Sequence, residues 1–157
     1  MPALTIILAQ MEQGSPPHVD VVRGVQRPSS DSPWLRPIYD EAEFIVRTVI
    51  RFYGGWYSGR PSELKPAARR PVAAEMAAMC GGARVLSRRA MELAEAGDMA
   101  LACHLADYAL EASPDDELVR EQVAQLYERR AAGESSLMAV NLYRSAAAYA
   151  RAGRPYC

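Results

Sequence analysis

The stretch from Ala94 to Tyr127, "AEAGDMALACHLADYALEASPDDELVREQVAQLY", decides the fold. Leu101, Leu105, Tyr108 and Ala112 recur at helical spacing, and Ala102, Ala106 and Ala109 form a smooth face beside them. Gly97 stands where a helix stops, and Asp98 is placed to cap the next one. In "SPDDE" at 113–117, Ser113 is the expected N-cap and Pro114 the first helical residue. Asp115 and Asp116 then lie against the positive end of the helix dipole. Val119, Val123, Leu126 and Tyr127 supply the core face of the helix that follows. The stretch is two helices and a short turn.

Outward from it the same 3.6-residue rhythm continues, and no alternating run looks like a strand. Residues 2–13 form a helix stopped by Gly14, and "SPPHVDVVRGV" begins another with Ser15 as cap and Pro16 in its first turn. "RPSSDSPWLRP" at 27–37, with three Pro and three Ser, is a linker. Over 38–53, Ile45, Val49 and Phe52 make one apolar row beside Val46, Ile50 and Tyr53, opposite Glu43, Arg47 and Arg51. An apolar face that wide predicts burial on more than one side. Further helices are expected at 67–80, ended by Gly81 and Gly82, and at 83–96. A final one at about 134–151 has Met138, Leu142, Ser145 and Tyr149 in line.

The expected class is therefore all-α: antiparallel helix pairs in a tetratricopeptide-like helical bundle. Residues 94–114 carry the small-residue spacing of such a pair (Gly97-Asp98, Ala102, Ala106, Ala109, Pro114). No clear second copy follows at the period of about 34 residues. The expected division is 1–37 for N-terminal helices and linker, and 38–152 for the helical domain.

Composition bounds the function. The chain of 157 residues, 50% apolar and 24% charged, can bury a core without staples. A net charge of −1 provides no field for nucleic acid, and the seventeen arginines are interspersed with acids. Cys80, Cys103 and Cys157 are too few and too scattered for a disulfide framework, which fits a reducing compartment. The apolar start "ALTIILAQM" is too short to span a bilayer and lacks the marks of a signal peptide. No membrane partner and a cytoplasmic location are expected.

Catalytic signatures are sparse. With His18 and His104 the sole histidines and no paired cysteines, there is no zinc-ligand spacing. His104 is expected to be a partly buried helix residue. Cys103 and His104 are helix neighbours pointing about 100° apart, and cannot act as nucleophile and base. Neither a hydrolase elbow nor a phosphate-binding loop is present. The glycines of "GGARVLSRR" are an ordinary turn, and "ARRP" at 68–71 and Arg88-Arg89 are solvated faces. The residues make a helical module without a self-sufficient catalytic constellation.

One segment is unusual: "IRFYGGWYSGRPSELKP", Ile50 to Pro66, holds three Gly, two Pro and four aromatics. It follows "LAQMEQGSPPHVDVVRGV" and "PWLRPIYDEAEFIVRTV", and precedes "CGGARVLSRRAMELAEAGDMALACHLADYALEASPDD" and "YERRAAGESSLMAVNLYRSAA". In this order the stretches resemble the dimerisation domain of the alkyl sulfatases over roughly residues 4–150. The most specific part is a pattern of Tyr53, Gly55, Trp56, Tyr57, Gly59, Pro61, Leu64 and Pro66. The family often has Asp and Asn where this chain has Ser58 and Arg60.

The resemblance implies a non-catalytic dimerisation module that forms a homodimer. In the family such a module is joined to a metallo-β-lactamase-fold catalytic domain, where two zinc ions sit on His, Asp and Glu residues, and to a sterol-carrier-like domain. No zinc ligand of that domain has a counterpart here. Tyr53 matches an aromatic position that reaches the sulfate pocket, so it is the one substrate-binding candidate, acting only beside a catalytic partner. The alternatives are a fragment or trans-acting subunit of a zinc-dependent alkyl sulfatase, paired with a metallo-β-lactamase-fold subunit, and a tetratricopeptide-like scaffold that binds another protein. Within the isolated chain, Trp56 and Tyr57 are expected to wedge between helices.

Overall fold

The structure is a computed structural model and describes residues 2–13, 22, 34 and 38–154. The expected helix from Ser15, the 27–37 linker with the boundary at 37/38, His18 and Cys157 lie outside the described residues. Among those described there are helices and turns and no strand, so the class is all-α. The chain divides between Pro66 and Ala67 into two compact units.

The first unit contains α1 (Pro2–Glu12) and α2 (Ala42–Gly54), followed by a 3-10 turn at Pro61–Glu63. Its core is small: Ile7, Val22, Val46 and Ile50 are buried, and Val49 packs against them. Of the two rows expected on α2, only Val46 and Ile50 go inside. Ile45 and Phe52 of the other row are exposed, as is Tyr53. The expectation of burial on several sides is corrected for the described residues: α2 buries the Val46–Ile50 stripe, while Ile45, Phe52 and Tyr53 stay in water.

The second unit contains α3 (Arg69–Cys80), α4 (Ala83–Glu95), α5 (Met99–Ala112), α6 (Glu117–Ala132) and α7 (Leu137–Arg151). Connections of two to four residues join them, and α4 with α5 and α6 with α7 make the most extensive contacts. These are helical hairpins. Additional packing of α3 on α5, and of α4 on α6, ties successive hairpins together. The turn after α4 closes with Asp98 N–H donating to the Leu93 carbonyl at 2.9 Å and Gly97 N–H to that of Ala94 at 3.3 Å. Gly97 has φ +94°, as this helix ending requires.

Small residues fill the core. Ala102, Ala106 and Ala109 are fully buried, whereas Leu101 on the expected neighbouring row is exposed and Leu105 and Tyr108 are half-buried. Val119, Val123, Leu126 and Tyr127 are buried as expected. On α7 the expected row is corrected: Leu142 and Ser145 face solvent, and Ala139, Ala147 and Ala150 are buried. Close approach of α6 and α7 leaves room for methyl groups, so the smooth face turns inward although the bulkier one is more apolar.

The start of α6 is a second correction. Ser113 ends α5, and its carbonyl accepts from Asp116 N–H at 3.2 Å across a turn containing Pro114. Asp116 is the cap: its Oδ1 accepts from the Leu118 and Val119 amides at 3.1 and 3.4 Å. Its Oδ2 accepts from Arg84 Nε at 2.6 Å. Proline at the second turn position bends the chain before the helix begins, and the carboxylate three residues after Ser113 takes the free amides.

Candidate functional site

Two places gather side chains with something to do: the end of α2 with its following turn, and the polar contacts inside the second unit.

At the end of α2, Phe52 and Tyr53 meet edge to face with centroids 5.0 Å apart, and Trp56 and Tyr57 do so at 6.0 Å. Phe52 is 80% exposed, Trp56 68%, Tyr53 57% and Tyr57 38%. The expectation that Trp56 and Tyr57 wedge between helices is therefore corrected; they stand out in solvent. The backbone explains their placement. Gly55 and Gly59 take positive φ of 78° and 90°, which turn the chain sharply on both sides of the aromatic pair. Ser58 Oγ accepts from Arg60 N–H at 3.3 Å, the local turn bond that an Asp would also make at that position. Pro61 opens the 3-10 turn, Arg60 pairs with Glu63 at 3.4 Å, and exposed Leu64 and Pro66 lead out of it.

Tyr53 thus lies in the last turn of α2 on the same exposed side as Phe52. Its hydroxyl is suited to donate one hydrogen bond to an anionic oxygen.

The second unit holds a polar cluster that sequence spacing did not single out. Tyr127 on α6 donates to Asp107 Oδ1 on α5 and stacks on Tyr143 of α7, with centroids 5.9 Å apart. Arg130 lies over the Tyr143 ring at 5.3 Å and pairs with Glu134 at 2.7 Å. Cys103 borders this cluster. Burial pushes its thiol up to about 11, with Arg130 opposing and Asp107 and Glu134 adding to the rise. A thiol so displaced is protonated at neutral pH and is not a nucleophile. His104, expected to be partly buried, is exposed, because its helix face turns away from the alanine seam. The signals available in sequence were the i,i+4 pairs Cys103–Asp107 and Arg130–Glu134, which are too common to mark a site.

Other polar contacts are structural. Ser87 donates to Gln122 Oε1 at 2.7 Å between α4 and α6. Arg151 holds Glu121 at 3.0 Å and Glu128 at 2.6 Å, tying α7 to α6. Arg88 and Arg89 are exposed, and Arg89 pairs with Glu92 at 2.8 Å. Among the described residues no group of three or more His, Cys, Asp or Glu comes together to hold a metal. The zinc implied by the resemblance thus has no fitting donor set among them, and no step is derived through it. Nor is any helix among them long and apolar enough to cross a membrane.

Comparison with known proteins agrees with the resemblance. A linear primary-alkylsulfatase from Pseudomonas sp. (strain ATCC 19151) is 31% identical over 98 residues, which are 62% of this chain and 19% of that protein. Among solved structures, the stereoselective inverting sec-alkylsulfatase Pisa1 from Pseudomonas sp. superposes with a TM-score of 0.85 at 22% identity. Its S233Y F250G double mutant does so equally. The alignment covers 98% of this chain and 24% of Pisa1, so the chain spans a quarter or less of the relatives it matches, and Pisa1 shows the fold alone. The family model described as alkyl sulfatase dimerisation matches residues 18–153. Covering most of the chain, that match places it: this protein belongs to the alkyl sulfatase dimerisation family.

Proposed function

We propose that this chain is a non-catalytic assembly module that pairs with a second copy of itself and, in a longer alkyl sulfatase, joins two subunits. The observation that carries the reading is the family match over residues 18–153. The uncovered aromatic side chains at the end of α2 support it, since a row of that kind loses water contact on association. Light scattering after size exclusion tests it: the expected mass is twice that of one chain, and a clean monomer at high micromolar concentration overturns it.

A second reading is favoured by the small share of each relative that the chain spans. Here the module acts in trans on a metallo-β-lactamase-fold subunit that carries the zinc, and Tyr53 contributes a hydrogen bond to the sulfate. Turnover of a long-chain alkyl sulfate should be nil with this chain and zinc, and should appear when such a subunit is added. Tyr53→Phe should then lower that turnover while leaving the complex intact. Inactivity with every metallo-hydrolase encoded beside it removes this reading.

A further inference from the structure

We propose that α7 is a strap that swings off α6 as a unit while α4, α5 and α6 stay packed, with Arg151 as the clasp on its free end. Three observations carry it.

The first is topology. Among the described residues α7 packs extensively on α6 alone, whereas α6 also meets α4 and α5, and α5 meets α3, α4 and α6. A helix with one neighbour leaves without breaking the packing among the others. Elements of that kind stand at the low end of local stability.

The second is the make-up of the seam. α7 buries Ala139, Ala147 and Ala150, and half-buried Tyr143 stacks on Tyr127. α6, by contrast, buries Val119, Val123, Leu126 and Tyr127. A methyl removes less apolar area from water than a leucine or valine side chain, and the stabilisation follows that area. A cleft of about 370 Å³ opens beside the seam, lined by Glu128, Ala132, Arg144, Ala147, Ala148 and Arg151.

The third is the clasp. Arg151, the last residue of α7, reaches back across the open end of the hairpin. Its Nε and Nη2 donate to Glu121 at 3.0 and 3.2 Å. Its Nη1 and Nη2 donate to Glu128 at 2.6 and 3.0 Å. One guanidinium thus holds two carboxylates two turns apart on α6. Just beyond it, Gly153 lies so close to the turn after α5 that a Cβ would come 2.8 Å from the Pro114 carbonyl oxygen. The other end of α7 is tied to α6 by the short connection at 133–136. The helix is hinged at one end and fastened at the other.

Acid loosens the fastening. Hydrogen bonds from Arg151 hold both carboxylates below their ordinary value while α7 is docked. The contribution to docking is therefore complete above that value and is lost as pH falls through the lowered ones. Gln125 also donates to Glu121, at 3.1 Å. The other charged groups at this end are Arg120 beside Gly153 and Arg144 in the cleft, so the two carboxylates are what acid changes there. Toward the hinge, Glu134 pairs with Arg130 and Asp107 accepts from Tyr127.

Hydrogen exchange of the full chain, read by mass spectrometry and referenced to the intrinsic rate at each pH, tests the strap. At neutral pH the α7 amides should exchange at least about tenfold faster than those of α5. Arg151→Met should speed α7 by about three- to tenfold, the scale of two exposed ion pairs, and leave α5 unchanged. The Glu121→Gln, Glu128→Gln double variant should do the same with Arg151, Glu134 and Asp107 in place. Between about pH 6 and about pH 4 the unsubstituted α7 should lose protection by a similar factor, and the double variant should lose little. Exchange of α7 and α5 at one rate, rising together in every variant, overturns the strap. Faster exchange of α7 that neither variant alters overturns the clasp.

Discussion

The two units of this chain spend their apolar residues in opposite ways. The second hides alanines: Ala102, Ala106, Ala109, Ala124, Ala147 and Ala150 lie inside, and the exposed remainder is dispersed. Among the described residues the first has a core of four, with six aromatics (Trp34, Tyr39, Phe52, Tyr53, Trp56 and Tyr57) and Ile45 set outside. Small side chains let helices approach closely enough to satisfy one another within a monomer. Large ones on α2 stay outside the small core of Ile7, Val22, Val46 and Ile50 among the described residues. The comparison teaches that a buried core and an exposed apolar face come from the same kind of periodicity and differ in what stands opposite.

The strongest way to break that comparison is to damage the second unit from within. Leu126, 1% exposed, sits in the alanine-rich core, and Leu126→Ala should cost about 2–5 kcal/mol in denaturant unfolding. A loss below about 1 kcal/mol would show that the core is loosely packed. Close packing also predicts the response to a single methyl. Gly153 has φ +62°, and a Cβ there would meet the Pro114 carbonyl oxygen at 2.8 Å. Gly153→Ala should cost about 1–2 kcal/mol from the backbone alone, and more from the contact. Gly59, at φ +90° with nothing near, should leave the melting of the second unit unchanged when replaced by Ala.

Acid should sharpen the contrast next, because the interhelical carboxylates belong to the second unit. Hydrogen bonds from Arg151 hold Glu121 and Glu128 below the ordinary value of 4.5, and Arg84 holds Asp116 below 3.8. The unfolded chain then binds protons more readily than the folded one in this range, so stability rises with pH there. The contribution is complete above the unfolded values and is lost as pH falls through the lowered ones. Thermal midpoints should be flat from neutral pH to about 5.5 and decline below about 4.5. Arg151→Met should flatten part of that decline. All three pairs are exposed, so the effect should be small and weaken with salt.

The smallest effect on stability is expected at the exposed aromatics of the first unit. Phe52→Ser removes a side chain 80% exposed, and measured on dilute monomer it should change stability by no more than about 0.5 kcal/mol. A larger loss would mean that the aromatic row supports the first unit itself.

Parts of this were legible in the chain. Val119, Val123, Leu126 and Tyr127 announce a buried face because they are large, apolar and on one stripe. Gly97 marks the end of α4 because the left-handed turn needs it. The α7 row of Met138, Leu142, Ser145 and Tyr149 misleads, because hydrophobicity ranks leucine above alanine and cannot register how near α6 comes. Asp116 displaced Ser113 as the cap because Pro114 set the turn, and Arg84, remote in sequence, fixed the carboxylate. The signature from Tyr53 to Pro66 was visible as a pattern, but nothing local tells a wedge from an exposed row.

By itself, then, the sequence determined the all-helical class, the helix ends marked by glycine and the family signature. Each depends on bonds within a few residues or on period. Only the tertiary structure decided which face of α2 and α7 turns inward, which carboxylate caps α6, and that Trp56 meets water. Those outcomes depend on the distance between helices, which is set by every side chain in the layer at once.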